Sequence, residues 1–224
     1  MLSNLPNEKI NHNVELEKAL YGEQLNTHFS NGSKETFDYL IVSDGVFSKT
    51  KSIIRKKKIK PKHLNCIGLR GNIKNYDNTD ISIFMGSNFH YVIYPVNQNK
   101  EYNFISIIRK NLNKEQLSDE KLFQSNNLLS SLISTINQKT FMDVEQNLEN
   151  IKAFPIFVSE KLEITNEKNV FFIGDALFSF SPSFAQGASQ SIETSNDLFE
   201  DIKNNDDKLY KNRINKIYSV HWRS

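Results

Sequence analysis

Cysteine and long apolar runs are the features that this sequence has least of. Its 224 residues include one cysteine, Cys66, so neither an internal disulfide nor a cysteine-based metal site can form. No apolar run reaches the roughly 18 residues that a membrane span needs, and the first residues lack the apolar core of a signal peptide. We therefore expect a cytoplasmic protein with no membrane span, and we predict no metal site.

Neither positive nor negative charge dominates the sequence. The net charge of +2 gives no reason to expect nucleic acid as a partner. The densest basic run, KSIIRKKKIKPK over 51–62, has two interpretations: a patch for nucleic acid or membrane, or a solvated helix face and linker with its isoleucines turned inward. Because no aromatic residue interleaves the run, stacking on bases is not indicated, and we favour the second interpretation.

The most informative stretch runs from Val170 to Lys203, VFFIGDALFSFSPSFAQGASQSIETSNDLFEDIK. Its first four residues form a short apolar run that predicts a buried strand ending at Gly174-Asp175. After a loop with a proline, the chain restarts at Gly187 with helical spacing. The predicted core-facing stripe of this helix consists of Ala188, Ile192, Ser195 and Phe199, with Leu198 and Ile202 beside it.

This segment combines a strand, a Gly-Asp turn and a helix that begins with glycine. Three of its features suit a ligand-binding site. Asp175, at the carboxyl end of the strand, can accept hydrogen bonds from sugar hydroxyls. The free N–H groups at the start of the helix favour an anion or a partly negative oxygen. Gly187 has no Cβ, so a planar ring could approach the backbone closely there.

The segment GDALFSFSPSFAQGASQSIETSNDLFEDI resembles the second flavin motif of the FAD-dependent aromatic hydroxylases, which are single-component flavoprotein monooxygenases. The sequence departs from that motif at Leu177, Phe178 and Thr194. The resemblance implies that Asp175 holds the FAD ribose and that Pro182 lies beside the flavin ring. It also implies that the Gly187 and Ala188 amides face the pyrimidine oxygen of the flavin. The matching residues are Gly174, Asp175, Ala176, Pro182, Ala185, Gln186, Gly187, Ala188, Ile192 and Glu193.

A second apolar run, FDYLIV over 37–42, predicts another buried strand and leads into Ser43-Asp44-Gly45. Taken alone, Asp-Gly after a strand is a common turn. With the Gly174-Asp175 segment downstream, it resembles the hydroxylase motif placed near the FAD pyrophosphate and linked to pyridine nucleotide binding, with Lys51 in place of the usual arginine. The resemblance therefore makes Asp44 and Gly45 cofactor-binding candidates and implies NADH or NADPH as co-substrate.

The middle of the chain, Leu64 to Arg109, is rich in short strands that predict an antiparallel sheet. His90, Val92 and Tyr94 share one face of their strand, because side chains alternate. HYVIYPV resembles the strand that lines the substrate cavity in the salicylate-hydroxylase-like branch, and CIGLRG resembles that branch's segment ending in Arg-Gly. His90, Tyr94 and Arg70 are therefore substrate-site candidates. The alternatives are an ordinary cross-strand pair for His90 and Tyr94 and a structural or surface role for Arg70.

These elements predict an α/β (α+β) fold, a partial Rossmann-like FAD-binding domain with an inserted, mostly antiparallel β-sheet substrate domain. We expect FAD-binding parts over 1–60 and 161–224 and the substrate domain over 61–160. A helix capped by Ser118 is predicted in the substrate domain. No Gly-x-Gly-x-x-Gly occurs in the sequence, and the family begins with that fingerprint, so we expect an incomplete chain.

The resemblance implies an FAD-dependent monooxygenase that hydroxylates a small aromatic substrate with NAD(P)H and O2. The flavin carries that chemistry, so we assign no catalytic side chain. Two other interpretations stay open. One is an inactive remnant of the fold, and the other is a related flavin hydroxylase of the ubiquinone-pathway type. The missing fingerprint unit would come from a further segment or a partner chain.

Overall fold

The computed structural model describes residues 10–22, 24–74, 76, 79–98, 101–136, 141–162 and 164–221. The chain divides into two compact units. The first, which we call the split unit, combines Met1–Lys62 with Val158–Ser224. The second, which we call the sheet unit, is His63–Phe157. Among the described residues, no helix has the length and apolar character needed to cross a bilayer.

The split unit begins with an antiparallel sheet of three strands, β1 (Leu16–Leu20), β2 (Leu25–Phe29) and β3 (Lys34–Phe37). The β2–β3 turn contains Gly32 at φ +83°, a conformation that glycine adopts without strain. Asn31 stabilises this turn through its side-chain oxygen, which accepts from the Ser33 amide at 3.0 Å. The Asn-Gly pair in the sequence therefore marks a real hairpin.

A second, parallel pair of strands forms the other sheet of the split unit. β4 (Leu40–Val42) precedes helix α1 (Lys49–Ile54) in the chain, and it pairs with a strand that lies about 130 residues later in the sequence. The strand predicted over 37–42 is thus divided, because Phe37 ends the antiparallel sheet and the parallel strand starts at Leu40. The predicted burial of this run is wrong as well, since Phe37, Tyr39 and Ile41 are exposed and only Val42 enters the core.

The sheet unit is built on five strands in the order β6-β7-β8-β5-β9. The pairs β6–β7, β7–β8 and β5–β8 are antiparallel, as predicted. The strands are β5 (Lys62–Ile73), β6 (Ser82–Met85), β7 (Phe89–Val96), β8 (Glu101–Arg109) and β9 (Leu148–Val158).

One face of this sheet forms the core of the sheet unit. Alternate side chains such as Leu69, Tyr91 and Phe104 are fully buried. They belong to one apolar cluster with Leu132 and Ile136. The helices of the unit are α2 (Lys114–Ser118), α3 (Asn126–Ile136) and α4 (Met142–Gln146). Because α3 supplies the opposing side of the cluster, the second face of the sheet is left for other contacts.

The predicted helix start at Ser118 is wrong. Ser118 ends α2, and its hydroxyl donates back to the Glu115 carbonyl oxygen at 2.9 Å. The cap of α2 is Asn113, which forms a reciprocal capping box with Gln116. The apolar helix itself begins only at Asn126, after a 3-10 turn. A serine followed by two acidic residues looked like a cap, but a short extra helix takes up that segment.

The remaining elements return the chain to the split unit. They are β10 (Val170–Phe172), α5 (Gly174–Leu177), α6 (Gly187–Asn204) and α7 (Lys208–His221). β10 pairs in parallel with β4, with Phe172 opposite Val42. The core of the unit includes Val42, Phe172, Leu177, Phe178 and Ile217.

The predicted core stripe of α6 is also wrong. Ile192 and Phe199 are 68% and 60% exposed, whereas Thr194, Leu198 and Asp201 are buried. The reason is a polar contact between α6 and α7. Asp197 accepts a hydrogen bond from Arg213 at 2.7 Å, and Asp201 accepts from two backbone amides at the start of α7. Hydrophobic periodicity cannot detect a buried carboxylate whose partner lies on the next helix.

Candidate functional site

The two loops predicted to bind a cofactor lie at the same edge of one sheet. Because β4 and β10 run parallel, their carboxyl ends meet, as in other parallel sheets that bind ligands at this edge. The Ile173 amide donates to the Val42 carbonyl at 3.0 Å and extends the pairing to the point where both loops begin. This arrangement brings Asp44-Gly45 and Gly174-Asp175 next to each other.

The Asp44-Gly45 loop is held by the start of α1. An Asp44 carboxylate oxygen accepts from the Thr50 amide at 3.2 Å, and the Ser48 hydroxyl accepts from the Lys51 amide at 2.9 Å. Gly45 has φ +81°, and a Cβ built there would meet nothing within 4 Å. The space beside this glycine is therefore open, and glycine is the residue that suits its backbone.

The Gly174-Asp175 turn needs glycine for two reasons. Gly174 has φ +57°, and a Cβ would lie 3.1 Å from the Ser191 hydroxyl oxygen. Asp175 follows with an exposed side chain, yet the protein around its carboxylate removes enough water to raise its pKa. The positive charge of Lys51 acts in the opposite direction and favours the ionised form. Asp175 thus presents a carboxylate to solvent close to a buried lysine.

Helix α6 starts without a side-chain cap. Its N-cap residue is Gln186, and no side chain hydrogen-bonds to the first amides. A Cβ at Gly187 would meet no atom within 4 Å, and Ala188 beside it is exposed. The side-chain oxygens of Gln186 and Gln190 are buried, and neither has a hydrogen-bond partner among the residues that the structure describes. An 18-residue helix therefore directs free amides, an open glycine face and these two side-chain oxygens at one place.

The loop before this helix is tightly shaped. Pro182 is exposed and opens a 3-10 turn that Ser181 caps, and Ala185 ends the turn at φ +51°. A left-handed alanine is an uncommon conformation that costs free energy, so the turn is held by its surroundings. Pro182 and Gly187 lie at the two ends of this short segment, as the flavin motif would require.

Two of the three departures from the flavin motif, Phe178 and Leu177, are explained by packing. Phe178 stands where the hydroxylases carry histidine, is 4% exposed, and makes an edge-to-face contact with Phe180 at 4.9 Å. Leu177 is fully buried in the core of the split unit. Both side chains therefore serve the core of this chain.

A lysine-lined cavity lies beside the same loops. Its volume is about 230 Å³, and five lysines and one glutamate contribute to its wall. Lys51 is 3% exposed, so one of these ammonium groups is largely desolvated. Such a cavity favours anions, because five of the six charged groups in its wall are positive. The charged lining residues are Lys51, Lys57, Lys58, Lys60, Lys161 and Glu160.

In the sheet unit, the three predicted substrate residues share one face. Tyr94 pairs with Asn103, and Asn103 pairs with Asn72. His90 lies on the same side of β7 as Tyr94, and Arg70 on the same side of β5 as Asn72, because side chains alternate along a strand. This is the face opposite the α3 core. His90 and Tyr94 are half-buried, and Arg70 is exposed.

The remainder of this face combines apolar and polar groups. Val92 pairs with Ile105, which pairs in turn with Arg70, so an apolar centre separates His90 from the polar row. Burial lowers the pKa of His90, which favours its neutral form. Sequence reasoning missed Asn103, which is 5% exposed and whose amide nitrogen has no hydrogen-bond partner in the part of the chain that the structure describes. Only the register of the strands reveals its place beside Tyr94.

No protein-family model and no curated protein matches the chain. Solved structures do. 2,6-Dihydroxypyridine-3-hydroxylase from Arthrobacter nicotinovorans has a TM-score of 0.70 at 19% identity, over 90% of this chain and 57% of that protein. HpxO from Klebsiella pneumoniae, in complex with FAD, has a TM-score of 0.68 at 17% identity, over 80% and 48%. A salicylate hydroxylase substrate complex has a TM-score of 0.67 at 16% identity, over 81% and 49%.

The chain thus spans about half the length of these proteins, between 48% and 57%. The similarity extends over both units, since 80% to 90% of the present chain is covered. The agreement of topology at low identity, together with the two loops at the edge of the parallel strands, leads to one conclusion. The chain has the fold of the FAD-dependent hydroxylases.

Proposed function

We propose that this chain is part of an FAD-dependent monooxygenase that hydroxylates a small aromatic substrate with NAD(P)H and O2. The observation that carries the proposal is the start of α6, where uncapped amides and an open Gly187 lie beside the Gly174-Asp175 turn. HpxO, which shares the fold, is known in complex with FAD.

The residues present fit the isoalloxazine and ribose parts of FAD. The Gly187 and Ala188 amides would donate to the pyrimidine oxygen, where the positive end of the helix dipole stabilises negative charge. Pro182 would lie beside the ring, and the Gln186 side chain, whose buried oxygen lacks a partner, would accept a hydrogen bond from the ligand. Asp175 would accept from the ribose hydroxyls. Asp44 and Gly45 would shape the loop near the pyrophosphate.

When bound, FAD supplies the redox chemistry, because it accepts a hydride from the nicotinamide and reacts with O2. The protein contributes binding, orientation and exclusion of water. Ionised Asp175 is the form that accepts hydrogen bonds, and nearby Lys51 favours that form. We assign no side chain of this chain to proton transfer or covalent catalysis.

The co-substrate is proposed to use the lysine-lined cavity. NADH and NADPH both carry a pyrophosphate, and NADPH carries a further phosphate, so five lysines around one cavity suit either molecule. Lys51 joins the two sites, because it lines the cavity and also acts on Asp175. The basic run over 51–62 would then bind a small anion.

The aromatic substrate is proposed to bind on the face of the sheet that lies opposite the α3 core. His90, Tyr94 and Arg70 supply polar groups there, and Val92 and Ile105 supply an apolar surface for a ring. HpxO has been crystallised with FAD and uric acid, which is a planar ring system with several polar atoms. A pocket of apolar surface with few polar groups is typical of sites for small ligands.

FAD titration of the purified chain, followed by quenching of flavin fluorescence, tests the proposal. We expect saturable binding for the wild type and at least a tenfold weaker affinity for Asp175→Ala, since a hydrogen bond to a charged group is worth about 1.5–3 kcal/mol. Glu35→Gln, which removes an exposed carboxylate on β3, is the matched control and should bind FAD like the wild type. Equal affinities for all three proteins would contradict the site assignment.

A second candidate function is a non-catalytic relative of these enzymes. Leu177 and Phe178 in place of the usual Ala-His, and Thr194 in place of aspartate, favour it. Under the first candidate, we propose that a further segment or a partner chain supplies the pyrophosphate-binding unit. Adding that unit should then restore FAD binding if the chain alone binds FAD weakly. A folded chain that fails to bind FAD in both conditions would favour the second candidate.

A further inference from the structure

The buried amide of Asn103 lies on the sheet face opposite the α3 core. The proposed function gives this amide no role. Its side chain is 5% exposed, and its nitrogen has no hydrogen-bond partner within the described part of the chain. A buried donor without an acceptor is unfavourable, so native proteins seldom retain one without a function. The hydrogen bonds among the described residues do not explain why this position carries an amide rather than an apolar side chain.

The strand register defines what surrounds this amide. Tyr102 and Phe104, the neighbours of Asn103 along β8, both belong to the core cluster on the α3 face. Asn103 therefore points to the opposite face, between Tyr94 on β7 and Asn72 on β5. These three side chains form a polar row across three strands.

Next to this row the face becomes apolar. Ile105 follows Asn103 on the same side of β8, and it pairs with Val92 of the neighbouring strand β7. Two residues further along β8, Ile107 is also buried. A flat ring resting on Val92, Ile105 and Ile107 would bring a substituent at one end towards the polar row. The substituent that satisfies the Asn103 nitrogen is a hydrogen-bond acceptor.

We infer that Asn103 determines substrate specificity by donating a hydrogen bond to a carboxylate or carbonyl oxygen carried by the aromatic substrate. This inference rests on the proposed function and narrows its substrate class to aromatic acids and ring systems with oxo groups. Arg70, on the same face, adds positive charge near this end and favours an acceptor with negative charge. A ring that lacks such an oxygen would leave the donor unpaired and would bind more weakly.

The variant that tests the inference is Asn103→Leu. Leucine has a similar size but no polar atoms, so it removes the unpaired donor and keeps the packing. We expect the midpoint of urea unfolding to stay the same or to rise. Salicylate and urate are the probes with acceptor oxygens on a planar ring system, and phenol is the probe without a carbonyl oxygen. Calorimetric titration of the full chain with each probe gives the affinities.

The wild type should bind salicylate or urate at least tenfold more tightly than phenol, and Asn103→Leu should reduce this ratio to about one. Thr27→Val is the control, because it removes a buried hydroxyl that donates to the Glu35 carbonyl in the split unit. It should lower stability and leave the ratio unchanged. Wild-type discrimination that survives in Asn103→Leu would overturn the inference, and so would a wild type that binds none of the probes or does not discriminate.

The FAD titration separates this inference from the proposed function. If FAD binds and probe affinity does not depend on Asn103, the monooxygenase proposal stands and the specificity role is wrong. If probe affinity depends on Asn103 but FAD never binds, the ligand site stands without the monooxygenase.

Discussion

Replacing Gly187 by alanine separates the stability of α6 from its proposed role in binding FAD. Gly187 is the first residue of the helix, and an added Cβ would meet no protein atom within 4 Å. The substitution therefore introduces no clash. Alanine has the higher helix propensity, so the free energy of unfolding should rise by about 0.5 kcal/mol, less than the full interior difference because the position is terminal.

FAD binding should respond in the opposite direction. If the flavin ring approaches the backbone at Gly187, the new methyl group occupies the space that the ring needs. We expect FAD affinity to fall at least tenfold, which corresponds to about 1.4 kcal/mol. The hydrogen bonds to the Gly187 and Ala188 amides would lengthen for the same reason.

Urea unfolding and FAD titration on the same preparation measure both effects. Ser189→Ala is the control, because Ser189 is an exposed residue in the same turn of α6 that has a Cβ already. It should bind FAD like the wild type. If Gly187→Ala gains stability and retains full FAD affinity, the flavin ring does not approach the backbone at Gly187.

Three further substitutions test the framework around the site. Gly174→Ala should lower the free energy of unfolding by about 1–2 kcal/mol in urea, because φ is +57° and Ser191 lies 3.1 Å from the new Cβ. Asp201→Ala should cost about 3 kcal/mol in the same assay, since two amide hydrogen bonds at the start of α7 lose a buried carboxylate. The Tyr210 hydroxyl donates to the Phe172 carbonyl at 2.7 Å, and burial raises the pKa of Tyr210 to about 12. The contribution of Tyr210 to the free energy of unfolding should therefore be constant below pH 10 and be lost as the pH rises from 10 towards 12, and Tyr210→Phe should remove that part of the decline. A decline of the same size in Tyr210→Phe would show that another group is responsible.

The parallel strands and their two loops were predictable from the sequence. Val170 to Phe172 and Leu40 to Val42 are apolar runs bounded by turn residues, and this pattern is typical of buried strands. Their pairing with each other was not predicted, and only the structure shows that the two strands are direct neighbours. The sheet unit was also predictable, because the strand-like runs from Tyr91 to Pro95 and from Tyr102 to Ile108 are separated only by a short run of turn-type residues.

The orientation of α6 was not predictable in the same way. Apolar spacing favoured burial of Ile192 and Phe199, but α7 takes the side of α6 that carries Asp197 and Asp201. The energy of that contact comes from charged hydrogen bonds between residues of two helices. A sequence pattern within one helix contains no information about such partners.

Asn103 shows a similar limit at the candidate site. In the sequence it is one polar residue inside an apolar strand, which gives no sign of its burial. Only the register between β7 and β8 places it opposite Tyr94 and leaves its amide without an acceptor. His90, Tyr94 and Arg70 were found from motif resemblance and stay predictions until ligand binding is measured.

Reduction of FAD-loaded protein by NADPH or NADH, without oxygen, tests the central claim most directly. The visible absorbance of the flavin is recorded after each addition, and then air is admitted. We expect uptake of FAD, loss of the visible flavin band with at least one nucleotide, and return of this band with O2. Folded protein that takes up no FAD, or whose flavin stays oxidised with both nucleotides, would contradict the proposed monooxygenase function.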